Sequence, residues 1–269
     1  MQAIQNMIPE PRRRQIVQKL KEIEQEHQVK ILFACESGSR AWGFPSQDSD
    51  FDVRFIYLHP HNWYLSVDLE KKRDVIDYPI DDLLDINGWD LRKALQLLYK
   101  SNMPLMEWLG SPVIYTQEQI LLSQLKILRS DYYQENAAFY HYVHLARKSM
   151  ENTFEQEQIC LKKYFYILRP LLSLDWIDQK RGLVPTEFHI LLDTLIPDQD
   201  LKNKILKMIE DKSHSSEKDT ITHHPEISQL IKTRVEKYKN IELKPSKKSA
   251  LIEPLNQFFQ TALNALWTR

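Results

Sequence analysis

Residues 36–54 read Glu-Ser-Gly-Ser-Arg-Ala-Trp-Gly-Phe-Pro-Ser-Gln-Asp-Ser-Asp-Phe-Asp-Val-Arg. The seven residues before them, 29–35, form a mostly apolar run of the length of a buried strand. From 51 to 58 the pattern alternates, with Phe51, Val53 and Phe55 set against Asp50, Asp52 and Arg54, and His59-Pro60 ends this second strand. Between the strands, Gly38-Ser39 reads as a turn followed by at most one helical turn. The chain has only five glycines in 269 residues, and Gly38 and Gly43 both fall here. Glycine placed so sparingly marks a backbone requirement.

Side chains at alternate strand positions share a face, so Asp50 and Asp52 point the same way. Paired carboxylates suit a hard divalent cation with oxygen ligands. A Gly-Ser turn upstream offers backbone N–H groups and a hydroxyl to phosphate. The combination points to metal-dependent phosphoryl or nucleotidyl chemistry. Two-metal catalysis needs a further carboxylate from a neighbouring strand, and Asp74, Asp77 and Asp85 are the choices. Asp85 is favoured because it sits between Leu84 and Ile86 in a short apolar strand that Asn87-Gly88 closes. An isolated Asp-x-Asp is a common surface feature, since exposed acids are the norm. The apolar strand before the turn, the hydrophobic context of the acids and the local glycines distinguish this one.

Outward from this stretch, residues 12–27 have helical spacing through Ile16, Leu20 and Ile23. Residues 74–80 read as a third strand and 83–86 as a short fourth. Trp89, Arg92 and Lys93 open a helix with an apolar stripe, and Pro104 starts a short one. After about Thr116 the pattern is helical: 117–129, 131–150, 156–176, 186–195, 198–211, 225–239 and 249–267. Pro170 should kink the third of these. Residues 211–222, rich in Lys, Ser, Glu and His, read as a mobile loop. The expected architecture is α+β, a small mixed sheet with flanking helices over 1–115, followed by an all-helical domain over 116–269.

Hydrophobic content of 42% and charged content of 27% describe a soluble globular protein. No apolar run approaches the roughly 18 residues of a membrane span, and the N-terminal residues lack the apolar core of a signal peptide. A cytoplasmic location is the default expectation. Cys35 and Cys160 make no disulfide framework. The net charge of −1 gives no general attraction for polyanions, so any nucleic-acid contact needs a local patch. Residues 231–248, with seven Lys/Arg against two Glu, are one candidate; a solvated helix face is the simpler reading.

The string from Glu36 to Arg54, with its apolar–Gly–Ser–x10–Asp–apolar–Asp pattern, resembles the polymerase-β-like nucleotidyltransferase superfamily. In its fuller form it resembles the branch of bacterial and phage nucleotidyltransferases associated with RNA ligase and RNA repair. Asp85-Ile86-Asn87-Gly88-Trp89-Asp90-Leu91-Arg92-Lys93-Ala94-Leu95 is similar to that branch's third-carboxylate strand and following helix. Asn102-Met103-Pro104-Leu105-Met106-Glu107-Trp108-Leu109 resembles its Asn-x-Pro-x-x-Glu element. The resemblance is specific over 31–115, weaker at 161–172 and thin elsewhere. It implies that Gly38 and Ser39 hold a triphosphate, that Asp50, Asp52 and Asp85 bind two Mg²⁺ ions (Mn²⁺ as a substitute), and that Asp85 serves as general base. It also supports Asp85 over Asp77.

Arg40 and Arg54 are candidates for phosphate contact, or else for ion pairs that orient the aspartates. On the helix over 156–176, Lys162, Tyr166 and Arg169 share a face. In the enzymes it resembles, a helical domain closes over the nucleotide, which would let Lys162 and Arg169 reach phosphates and Tyr166 stack on a base. An amphipathic core helix with a basic edge is the competing reading. His141 and His144, without partner ligands, do not make a metal site. There is no P-loop and no nucleophile elbow.

The expected reaction is transfer of a nucleoside monophosphate from an NTP to a hydroxyl, with release of pyrophosphate. The resemblance suggests an RNA 3′ end as acceptor. A protein hydroxyl, as in AMP-transferring antitoxin relatives, is second, and a small-molecule hydroxyl third. A non-catalytic nucleotide- or RNA-binding module is the rival from another class. Intact Asp50, Asp52 and Asp85 argue against it, since clustered carboxylates without a cation repel one another. The identity of the NTP, the acceptor and the oligomeric state stay open at this level.

Overall fold

The computed structural model describes residues 8–150, 158–216, 219–239, 241 and 251–267. Helix α1 (Glu10–His27) has Pro11 in its first turn and ends at Gln28 in the left-handed region. Its buried stripe is Ile16, Leu20 and Ile23, as the spacing predicted. Then come β1 (Lys30–Glu36), the short α2 (Gly38–Trp42) and β2 (Phe51–Leu58). A connection with α3 (His61–Tyr64) leads to the hairpin β3 (Val75–Asp77) and β4 (Leu84–Asp90). Helices α4 (Leu91–Tyr99) and α5 (Met103–Trp108), strand β5 (Ile114–Gln117) and α6 (Gln119–Asp131) follow.

The five strands form one sheet in the order β3-β4-β2-β1-β5. β2 and β4 run parallel; the other pairs are antiparallel. On one face, Phe51, Val53 and Phe55 of β2 and Leu84 and Ile86 of β4 join the stripe of α1 in a single core. The opposite face of β2 carries Asp52 and Arg54, half-buried.

Strand β4 runs through Asn87-Gly88, where the sequence suggested a stop. Gly88 is register partner of Phe55, and a Cβ there would lie 2.6 Å from Phe55 Cδ2. The glycine serves close packing, not a turn. The turn precedes the strand, at Asp82 and Leu83, both at positive φ. Helix α4 begins at Leu91, not Trp89, because the Asp90 side chain caps it by accepting from Arg92 N at 2.8 Å. Strand β5 was not expected; it adds to the free edge of β1 where the sequence suggested the domain end.

The chain forms two compact units that interleave in sequence. The first comprises the residues up to Ala41, then Asp50–Tyr133, then those from Lys248. The second comprises Trp42–Ser49 and Gln134–Lys247. The second unit contains α7 (Glu135–Met150), β6 (Gln158–Cys160), α8 (Leu161–Asp178), α9 (Phe188–Leu195), α10 (Gln199–Ser213), β7 (Thr220–Thr222) and α11 (Pro225–Tyr238). Helix α12 (Glu253–Trp267) returns to the first.

This division differs from a cut at residue 115. Helix α6 is tied to the sheet by Glu118 N donating to Leu32 O at 2.8 Å. The α12 segment is held by Tyr132 Oη donating to Leu251 O at 2.5 Å and by the Tyr64–Phe259 ring contact. Nor is the second unit all helical: β6 and β7 pair as a two-stranded ribbon, built from the start of one expected helix and the end of the expected loop at 211–222. Helix α8 continues past Pro170 to Asp178. Of the basic 231–248 segment, Arg234 and Lys237 pair with Asp175, and residues 240 and 242–248 lie outside the described residues.

Candidate active site

Parallel pairing of β2 and β4 sets Asp52 opposite Asp85. Arg54, two residues along β2, lies between their carboxylates. Its Nη2 donates to Asp52 Oδ1 at 2.8 Å and to Asp85 Oδ2 at 2.7 Å. Its Nη1 donates to the carbonyls of Asp85 at 2.8 Å and Val53 at 3.2 Å. The three side chains are 16, 25 and 30% exposed for Arg54, Asp52 and Asp85, so solvent and solutes reach the cluster. Asp50, half-buried, is the residue before β2. Burial pushes the Asp52 carboxyl up to about 6; Arg54 opposes this, while Asp85 and Asp50 add to it by repulsion. Asp74 and Asp77, the other candidates for a third acid, pair instead with Lys93 and Arg73.

Gly38 opens α2 at φ 59, and a Cβ there would overlap Asp52 Oδ2 and stand 2.9 Å from its Cγ. The Gly-Ser turn thus lies directly against Asp52, and Ser37 N donates to the Asp52 carbonyl at 2.9 Å. Ser39 and Arg40 are buried. Arg40 Nε donates to the Asp50 carbonyl at 3.1 Å, and its guanidinium lies 3.9 Å from the centre of the Phe51 ring. Arg40 therefore braces the turn against the start of β2.

Behind the site, Glu36 is fully buried and accepts from Asp52 N at 2.9 Å through Oε1. Tyr115 Oη donates to its other oxygen. Desolvation pushes the Glu36 carboxyl up to about 7, against the pull of these hydrogen bonds. Glu36 and Tyr115 were not singled out from sequence. A carboxylate ending a run of buried residues was the available signal for Glu36; Tyr115 had none, because β5 was not foreseen.

Residues 13–261 match the family described as RNA repair pathway DNA polymerase beta family. The chain belongs to that family. It is also 42% identical over 257 residues to the uncharacterized protein YcgL of Bacillus subtilis (strain 168), covering 95% of this chain and 98% of that protein. A nucleotidyltransferase-like protein from Exiguobacterium sibiricum 255-15, solved at 1.90 Å, aligns with 93% of this chain and 90% of its own. That alignment has 13% identity and a TM-score of 0.31, too loose to carry weight. Membership makes this a polymerase-β-like nucleotidyltransferase by descent, from a family implicated in RNA repair.

In this family member, Asp52 and Asp85 of the expected acids meet through one arginine. Among the described residues, no group of three or more His, Cys, Asp or Glu comes together as a metal cluster, His141 and His144 included. The donor chemistry nevertheless suits a hard cation: Asp52 Oδ1 and Asp85 Oδ2 converge on one point, marked by Arg54 Nη2, and carboxylate oxygens are the ligands such a cation takes.

Lys162 and Arg169 lie on α8 in the second unit. Arg169 is buried, with its guanidinium 4.5 Å from the Trp42 ring centre and Nη2 donating to Thr186 O at 3.4 Å. Lys162 Nζ lies over Tyr166, and Tyr166 meets Trp42 edge to face. Of the face shared by Lys162, Tyr166 and Arg169, the last two thus pack on Trp42, the first residue of the 42–49 segment. Phe44 of the same segment stacks on Phe165 and meets Phe188 edge to face. Lys212 Nζ donates to Ser46 Oγ at 2.7 Å, and Gln47 N to Ser215 O at 3.3 Å.

Proposed function

We propose that the protein is a Mg²⁺-dependent nucleotidyltransferase that joins a nucleoside monophosphate from an NTP to the 3′ hydroxyl of an RNA. The acceptor oxygen forms a bond to the α-phosphorus, the bond to the β-phosphate oxygen breaks, and pyrophosphate leaves. The observation that carries the reading is the in-register placement of Asp52 and Asp85 on one sheet face, with the Gly38 turn lying against Asp52.

Asp50, Asp52 and Asp85 would hold Mg²⁺, with Mn²⁺ as a substitute. Bound there, the ions lower the pKa of the acceptor hydroxyl and neutralise charge on the triphosphate. The chain's own share is positioning. Gly38 and Ser39 present backbone N–H groups to the triphosphate, at a point where a larger residue than glycine would displace Asp52. Asp85 receives the proton of the acceptor hydroxyl. Arg40 keeps the turn and β2 in register. Arg169, proposed from sequence as a phosphate ligand, is better supported as part of the mounting of the 42–49 segment through Trp42, while Lys162, the other residue so proposed, lies against Tyr166. Family membership supports RNA as acceptor. Among the described residues no helix is long and apolar enough to cross a membrane.

The test is incubation with each labelled NTP and Mg²⁺ in the presence of RNA and of protein. Label on the RNA 3′ end, absent with Asp52→Asn, is the expected result. Label on protein would reassign the acceptor, and label on neither, without pyrophosphate release, would remove the transferase reading.

A further inference from the structure

We infer that Arg54 is a resident counter-ion that holds the cation position between Asp52 and Asp85 until a nucleotide draws it away, so that metal and nucleotide bind cooperatively. The inference rests on the reading of Asp52 and Asp85 as metal ligands. One nitrogen, Nη2, donates to both carboxylates, at 2.8 and 2.7 Å. A divalent ion shared by these two oxygens would need the same place, with bonds of about 2.0–2.1 Å for Mg²⁺. The two occupants exclude one another.

The guanidinium is well held. Its Nη1 is bonded to the Asp85 carbonyl at 2.8 Å and the Val53 carbonyl at 3.2 Å, and the side chain is only 16% exposed. A metal ion arriving alone must displace a charge-assisted pair on each ligand. A metal ion arriving with a triphosphate meets a different balance. The phosphate oxygens offer the same guanidinium an equivalent fork of acceptors, and Arg54 trades carboxylates for phosphate. The two ligands then help each other by a common factor, since linkage between binding sites is reciprocal. The arrangement also offsets one of the two charges of the facing carboxylates, which would otherwise repel more strongly.

The test measures Mn²⁺ binding to the full chain without nucleotide, by spin resonance, for wild type, Arg54→Gln, Arg54→Lys and Asp52→Asn. Arg54→Gln is expected to bind Mn²⁺ at least about fivefold tighter than wild type, the lower end of typical coupling between sites. Arg54→Lys, which keeps the charge, should return towards wild type, and Asp52→Asn should lose the site. A non-hydrolysable NTP analogue should tighten Mn²⁺ binding to wild type more than to Arg54→Gln. If Asp52→Asn weakens binding while Arg54→Gln leaves it equal or weaker, Arg54 only orients the aspartates, and the metal reading survives without this inference. If Asp52→Asn binds as wild type does, the metal reading falls and this inference with it. Circular dichroism melts of each variant separate lost binding from lost fold.

Discussion

Gly38 and Asp52 occupy adjoining space that leaves no room for a side chain between them: a Cβ on Gly38 would stand 2.9 Å from Asp52 Cγ and overlap its Oδ2. The backbone there also has φ 59. Gly38→Ala should therefore cost about 2–5 kcal/mol, overlap and backbone strain together. In an Asp52→Ala background only the left-handed strain is left, about 1–2 kcal/mol. Urea melts of the four proteins should show this non-additivity; equal costs in both backgrounds would mean that the two residues do not press on one another.

Asp52→Asn and Asp85→Asn should each lower pyrophosphate release by about a hundredfold or more, on the scale of losing one electrostatic element of an active site. Asp52→Asn should not destabilise the protein at neutral pH. The folded carboxyl titrates near 6, above its usual range, so its ionised form costs stability. Labelled-NTP assays and thermal melts at pH 7.5 check both halves.

The buried Glu36 sets a pH dependence of stability. Its carboxyl is raised from 4.5 to about 7 on folding. The folded state therefore binds this proton more tightly, and stability falls as pH rises from about 4.5 to 7. The shift corresponds to an order of magnitude of about 3 kcal/mol. Glu36→Gln keeps an acceptor for Asp52 N and should lessen the slope over that window, most clearly between pH 6 and 7, above the range in which Asp52 and Asp90 contribute. A variant that keeps the wild-type slope would assign it to another group.

Gly88→Ala should be destabilising by about 1–3 kcal/mol through overpacking against Phe55. Phe55→Leu should relieve part of that cost in the double variant. A fully additive double variant in chemical denaturation would contradict the contact.

Arg169→Met should lower stability by about 1–3 kcal/mol, since the residue is buried on Trp42, whereas Lys162→Met should stay within about 0.5 kcal/mol. The informative measurement is KM for NTP beside the melting temperature. A raised KM with an unchanged melting temperature for Arg169→Met would return that residue to phosphate binding.

The sheet core was legible where pattern and chemistry agreed: Phe51, Val53 and Phe55 alternate with acids, and α1 shows its stripe at helical spacing. The pairing of Asp52 with Asp85 was legible only as a choice of residues, because register depends on contacts across the sheet and not along the chain. Gly88 misled, because glycine beside asparagine signals a turn when read locally, while its reason here is the ring of Phe55 from another strand. Arg169 carried two readings, phosphate ligand and core helix, between which the local pattern could not choose. A basic residue on a helix suggests a ligand, yet this one is buried against an indole more than a hundred residues earlier. Glu36 and β5 were missed together, since the carboxylate makes sense only once Tyr115 is brought beside it.

The spacing between the Gly-Ser turn and the aspartates has an origin that a motif does not reveal. Its middle, Trp42 to Ser49, is moored in the helical unit by Phe44, Ser46 and Gln47, while its two ends stay with the sheet. A fragment ending at residue 115 would keep Asp50, Asp52 and Asp85 and lose Phe165, Lys212 and Ser215, the partners that hold Phe44, Ser46 and Gln47.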